Sequence, residues 1–183
     1  MKRTVAERQH AVKVSSAPPS RTPAGDALTN LIGQVIQLIR LFSVAGEALA
    51  KPAGQTLARW LVLETIDAAP ATVAQIARSL HLARQSVQRL ADVLVRDGFA
   101  VYEDNPAHRR AKLLRMTPPG RSALRAIQAA QVAWSDRLGA ELGLGELRQV
   151  GAALERVLQA LRDPAFSPTP PPSPARGRAG RRP

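Results

Sequence analysis

The sequence contains no cysteine, which excludes disulfides, thiol redox switches, cysteine-ligated zinc and a cysteine nucleophile. Aromatic residues are only 3% of the chain, although 45% of it is hydrophobic. Ala, Leu and Val must therefore fill the core, and stretches rich in Ala and Leu favour helix because those side chains lose little entropy there. Histidine is scarce too. His10, His81 and His108 fall in a tail, a turn and a polar loop, with no surrounding carboxylate or hydroxyl pattern that would make a triad or a metal site. An enzyme, a metal and a cofactor are accordingly not expected. The first residues lack the apolar core of a secretion signal, and no run of about 18 apolar residues is evident. The expectation is a cytoplasmic protein that does not engage a membrane.

What the chain does have is positive charge, +12 net. Its distribution matters more than its size. Residues 1–25 and 164–183 each carry a net +4, and residues 73–116 carry another +4 through eight basic and four acidic side chains. The rest is balanced, so within the folded part the charge sits on one segment, as a phosphate-binding surface requires. Arginine outnumbers lysine 22 to 4. Its planar fork suits phosphates and guanine edges, although a GC-rich genome would give the same bias.

Residues 1–25 are polar, without periodicity, and read as a disordered basic tail. Residues 164–183 hold seven prolines and four arginines and read as a second, extended tail. Either tail could add non-specific affinity for an anionic polymer or be merely solvated. Between them, 26–163 is helical almost throughout. Leu28, Leu31, Ile32, Val35, Leu38, Ile39 and Phe42 recur at three- and four-residue steps over 26–50, and Ile36, Leu41 and Val44 widen the stripe beyond one face. Such a helix must be covered on more than one side, and a partner subunit is one natural cover. A second helix follows over Gln55–Ala68.

The informative stretch begins at Thr72. Thr72-Val-Ala-Gln75 has the form of a capping box opening a short helix with Val73, Ile76, Ala77 and Leu80 apolar. After a break at His81-Leu82-Ala83, a further helix runs from Arg84 to about Asp97, with Val87, Leu90, Val93 and Leu94 inward, and Gly98 is placed to stop it. Two helices across so tight a turn describe a helix-turn-helix. The outward face of the second presents Arg84, Gln85, Ser86, Gln88 and Arg89, which can bond base edges and phosphates from the first turns of a recognition helix. Two strand-like runs, 99–103 and 111–116, then flank a polar turn whose tip carries His108, Arg109 and Arg110. A hairpin in that place is a wing, able to reach an adjacent minor groove or its phosphates. Thr117-Pro118 restarts a helix, and a last helix spans about 144–161. The fold class is thus mainly α with a small β-hairpin wing: a winged helix-turn-helix over about 54–117, flanked by long helices at about 26–50 and 118–162.

These segments resemble the MarR (multiple antibiotic resistance regulator) family of transcription factors. The resemblance rests on Thr72-Val-Ala-Gln-Ile-Ala-Arg-Ser-Leu80, Arg84-Gln-Ser-Val-Gln-Arg-Leu90, Leu94-Val-Arg-Asp-Gly98, Asn105-Pro-Ala-His-Arg-Arg-Ala-Lys112 and Arg115-Met-Thr-Pro-Pro-Gly120, in that order. It implies a homodimer whose flanking helices form the dimer base and whose two winged modules bind double-stranded DNA at a pseudo-palindromic operator, usually as a repressor. It places Arg84, Gln85, Ser86, Gln88 and Arg89 in the recognition helix and matches Arg109 to the wing arginine of the minor groove. It also implies a small lipophilic or aromatic effector, for which Leu38, Phe42, Arg59, Trp60 and Trp134, with Leu61 and His81 nearby, are the candidates; buried aromatics of this kind also serve simply as core. Two departures stand out. Ala83 replaces the usual hydroxyl cap of the recognition helix, a change worth about 1 kcal/mol, and His108 replaces an acidic residue that would pair within the wing. The competing reading is a sequence-tolerant architectural or protein-interaction winged-helix protein.

Overall fold

The computed structural model describes residues 21–108 and 110–167. The tail assignments at 1–20 and 168–183, and Arg109, lie outside the described residues. The chain divides into two compact units, one ending at Leu57 and the other beginning at Ala58.

The first unit is helix α1, Pro23–Ala50, followed by a 3-10 turn at Lys51–Ala53. Helix α1 starts within the segment expected to be tail. Thr22 caps it, its Oγ1 accepting from the Gly25 amide at 3.1 Å, and Pro23 supplies a first-turn residue that needs no donor. Gly54 takes a left-handed conformation and ends the turn. Gly46 is buried where a Cβ would press on the Leu57 side chain, so a close approach has been bought there with the loss of a side chain. Most of α1 remains apolar and uncovered, with Leu28, Ile32, Ile36, Ile39, Leu41 and Val44 exposed. Pro23–Ala53 is in fact long and apolar enough, by length and composition, to cross a membrane, which corrects the expectation that no such stretch occurs. Thr29, Asn30, Gln34 and Gln37 interrupt the run to the eye without lowering its average enough.

The second unit contains the rest of α2 (Leu57–Thr65), then β1 (Ala71–Thr72), α3 (Val73–Ser79), α4 (Arg84–Arg96), β2 (Ala100–Glu103), β3 (Leu113–Met116), α5 (Pro118–Leu142) and α6 (Leu144–Arg162). A short 3-10 turn at Pro164–Phe166, capped by Asp163, extends structure three residues into the expected C-terminal tail. The sheet is antiparallel in the order β1-β3-β2, with Thr72 opposite Leu113 and Tyr102 opposite Leu114. The core is aliphatic: Val62, Leu63 and Ile66, then Ile76, Val87 and Leu94, with Leu114 and Met116 from the sheet and Leu124 and Ile127 from α5. Each such burial contributes about 1.5–3 kcal/mol, which is how the module holds with so few aromatics.

Local chemistry sets the joints. Thr72 and Gln75 form the expected capping box of α3. That helix ends in a Schellman motif, with the Leu82 amide donating to the Ala77 carbonyl at 3.0 Å and His81 in the left-handed region at φ 52°. Helix α4 ends the same way at Gly98, whose φ is 79°, with the Phe99 amide reaching the Leu94 carbonyl at 2.9 Å. Thr117 then closes the wing. Its hydroxyl donates to the Gly98 carbonyl at 2.6 Å and accepts from the Gly120 amide at 3.3 Å. A Cβ on Gly120 would run into the Phe99 carbonyl, so no larger residue fits where α5 crosses under the wing.

Candidate nucleic-acid interface

Helix α4 is strongly two-sided. Val87, Ala91 and Leu94 are buried, and that anchoring forces the alternate face outward. Arg84, Gln85 and Arg89 are exposed there, and Ser86 and Gln88 are half-buried. The helix starts at Arg84 with Ala83 as its cap and no side-chain bond. The Ser86 and Val87 amides both donate to the Ala83 carbonyl, at 2.9 and 3.2 Å, so no side chain takes up the amides that precede them in this first turn.

The wing lies beside this helix start. Asn105 shapes its tip: its side-chain oxygen accepts from the Ala107 amide at 3.0 Å and its carbonyl from the His108 amide at 3.1 Å. Farther down, Glu103 and Arg115 pair across the hairpin at 2.7 Å. That pair supplies a tie within the wing which His108 does not. Exposed surface pairs of this kind are worth at most about 1 kcal/mol.

Between the starts of α3 and α4 and the wing runs a concave groove. Arg84, Arg110 and Lys112 line it together with Thr72, Gln88 and Tyr102. An adjoining hollow adds Arg78, Gln75, Asn105 and His108. Of the expected DNA-facing residues, Arg84, Gln88, His108 and Arg110 thus meet around one surface. Arg78, Lys112, Thr72 and Tyr102 join them and were not expected from the sequence to face DNA. Lys112 was legible as a basic residue leaving the wing, whereas Tyr102 looked like an ordinary strand residue.

Two polar networks brace this surface. Gln88 Nε2 donates to Asp92 Oδ1 at 2.9 Å and to Tyr102 Oη at 2.8 Å, and the Tyr102 hydroxyl donates to Asp92 Oδ1 at 2.8 Å. Partial burial, followed by the Asp92 carboxylate that the neutral phenol bonds, pushes the Tyr102 pKa up to about 12. At the far end of α4, Asp97 receives Arg96 at 2.9 Å and Arg59 at 2.9 Å. The hydrogen bond from Arg96, and the charges of Arg96 and Arg59, hold the Asp97 carboxyl below the usual carboxylate range. Arg59 also lies 5.5 Å from the centre of the Phe99 ring. It therefore ties α2 to the end of α4.

The remaining effector candidates are spread along the chain. Leu38 and Phe42 are exposed on α1 in the first unit. In the second unit Trp60 is buried, its indole nitrogen without a hydrogen-bond partner, and Trp134 is half-buried on α5. Among the described residues no group of His, Cys, Asp or Glu is arranged to hold a metal ion.

A family model, that of the MarR family, matches residues 53–111. An uncharacterized protein of Mycobacterium tuberculosis is 36% identical over 137 residues, which cover 75% of this chain and 96% of that protein. Among solved structures, the MarR family transcription regulator SP03579 is 27% identical with a TM-score of 0.65, covering 75% of this chain and 97% of its own. A Staphylococcus aureus MarR in complex with salicylate and kanamycin has the same fold at 14% identity and a TM-score of 0.66, over 74% of this chain and 92% of its own.

Proposed function

The chain belongs to the MarR family of DNA-binding transcriptional regulators, and from that premise we propose that it is a cytoplasmic, homodimeric repressor reading a pseudo-palindromic operator. The observation that carries the proposal is the meeting of Arg84, Arg110 and Lys112 around the start of α4, next to a face of Gln and Ser suited to base edges. Cations that line a groove beside the start of a helix match a phosphate backbone. The polar face between them matches the major groove. Arg84, Gln85, Ser86, Gln88 and Arg89 face the bases in this reading, while His108, Arg109 and Arg110 carry the wing to the adjacent groove.

Dimerisation is supported by exposed apolar faces on both flanking helices. Ile32, Ile36 and Ile39 on α1 and Leu147, Val150 and Leu158 on α6 are large and uncovered. An exposed apolar stripe along a helix marks an interaction surface, and in this reading a second copy of the chain covers each of the two. The membrane-like composition of α1 follows from the same requirement.

Release by a small aromatic or lipophilic ligand is the regulatory half of the proposal. The salicylate held by the S. aureus relative supports an aromatic carboxylate as the first class to try. Trp60 and Trp134, with Arg59, are the residues of the second unit assigned to it.

Selection of bound duplexes from a randomised pool at about 150 mM salt tests the reading. A dimeric operator reader enriches a pseudo-palindrome whose half-sites lie roughly 34–36 Å apart. A sequence-tolerant architectural protein enriches nothing, although its binding is salt-sensitive.

A further inference from the structure

Gln88 lies one turn into α4, on the face that an operator reader turns toward the bases, yet its amide nitrogen is engaged within the protein. Its nitrogen is 2.9 Å from Asp92 Oδ1 and 2.8 Å from Tyr102 Oη, and Tyr102 Oη is 2.8 Å from the same carboxylate oxygen. With a separate proton in each bond, this ring of three groups is satisfied in one arrangement. A carboxylate oxygen offers lone pairs and no proton, so the amide must turn its nitrogen toward Asp92. The phenol has a single proton, which goes to Asp92, so the phenol oxygen accepts the second N–H of Gln88. Both donors of Gln88 are then spent inside the protein. Oε1 is the polar atom that remains.

Glutamine ordinarily reads adenine with two bonds, giving an N–H to N7 and accepting from the N6 amine. A glutamine with an acceptor alone cannot make the first of these. It can accept from the N6 amine of adenine or equally from the N4 amine of cytosine. It meets guanine and thymine with acceptor against acceptor, because those bases present O6, N7 or O4 there. We infer that Gln88 is a specificity-determining residue of one-sided reach, selecting an exocyclic amine and so accepting adenine and cytosine alike, with Tyr102 and Asp92 as the positioning residues that impose this. The consequence is a degenerate column in the operator, set by a strand residue of the wing that touches no base. The inference rests on the reading of the chain as an operator-binding dimer.

The test is duplex selection with the full chain, its Gln88→Ala variant and its Tyr102→Phe variant, each first confirmed to melt cooperatively. The wild type is expected to show one column per half-site that admits adenine and cytosine and rejects guanine and thymine. Gln88→Ala should flatten that column and no other. Tyr102→Phe leaves one N–H of Gln88 unclaimed, so the two-bond contact becomes available and the column should shift to adenine over cytosine by roughly tenfold, as one added hydrogen bond to the correct base implies. A wild-type column of adenine alone overturns the inference, and so does a motif that Gln88→Ala leaves unchanged. Should Tyr102→Phe fail to fold, the first two proteins still separate these outcomes. A pool that yields no motif at all brings down the operator reading itself, and is distinct from a clear motif in which only the Gln88 column disagrees.

Discussion

The hydroxyl of Tyr102, the single tyrosine of the chain, donates to Asp92 and accepts from Gln88, so two elements depend on one proton. Its pKa is raised from 10.0 to about 12. A group that holds its proton more tightly when folded contributes stability that is fully present below the unfolded value and is lost as the pH rises through the folded one. The stability difference between the wild type and Tyr102→Phe should therefore be constant below pH 10 and shrink as the pH approaches 12, within the range set by those two values. Urea midpoints measured across that range check it. A difference that stays level through pH 12 would mean that the phenol proton does not hold α4 to the wing. None of this was legible from the residues alone. Gln88 and Asp92 are visible as neighbours on a helix, but Tyr102 is 14 residues from Gln88, and only the fold of the hairpin against α4 brings it within reach. The same holds for Arg59, which the sequence offered as a ligand residue and the structure ties to Asp97, 38 residues away.

At the scale of elements, the joints with local chemistry were legible and those made by tertiary pairing were not. Thr72 with Gln75, Thr117 with Pro118, and Gly98 after α4 declare themselves within four residues, because a cap is satisfied by its own neighbours. The strand β1 is two residues long and exists through its pairing with β3, some forty positions on. No propensity signal of two residues could announce it. Helix α1 begins at Pro23 because Thr22 caps it, a local signal that was masked by the Pro-, Ser- and Arg-bearing composition around it. The turn of the helix-turn-helix departs from the usual chemistry. His81 occupies the left-handed position that glycine normally fills. His81→Gly should relieve that conformation and raise stability by up to about 1 kcal/mol, the greater chain entropy of glycine offsetting part of the gain. Thermal unfolding of the two proteins measures it, and a lowered midpoint would mean that the His81 side chain contributes more than its backbone costs.

For the whole molecule, charge and apolar surface are segregated. The excess positive charge of the folded part lies on the winged module, while most of the large exposed aliphatics lie on the flanking helices α1, α5 and α6, Leu82 of the winged module being an exception. That division suits a protein which meets its own copy through one region and a polyanion through another. The pattern of Ile and Leu along α1 was legible as too wide for one face, and its exposure is what the structure adds. Ile36→Glu together with Ile39→Glu should yield a monomer by light scattering at micromolar concentration and reduce operator binding to the level of random duplex. A double variant that remains dimeric and binds normally would place the dimer contact elsewhere. The central claim is that the Arg84 face and the wing read sequence rather than charge alone. Its most direct test is the ratio of affinities for the selected operator and for a scrambled duplex at about 150 mM salt, measured on the wild type and on Arg84→Ala. A wild-type ratio of roughly 10³–10⁷ is expected, narrowed in the variant by about tenfold or more, as the loss of one good base contact implies. A wild-type ratio near one, or a variant that weakens both duplexes equally, would contradict it.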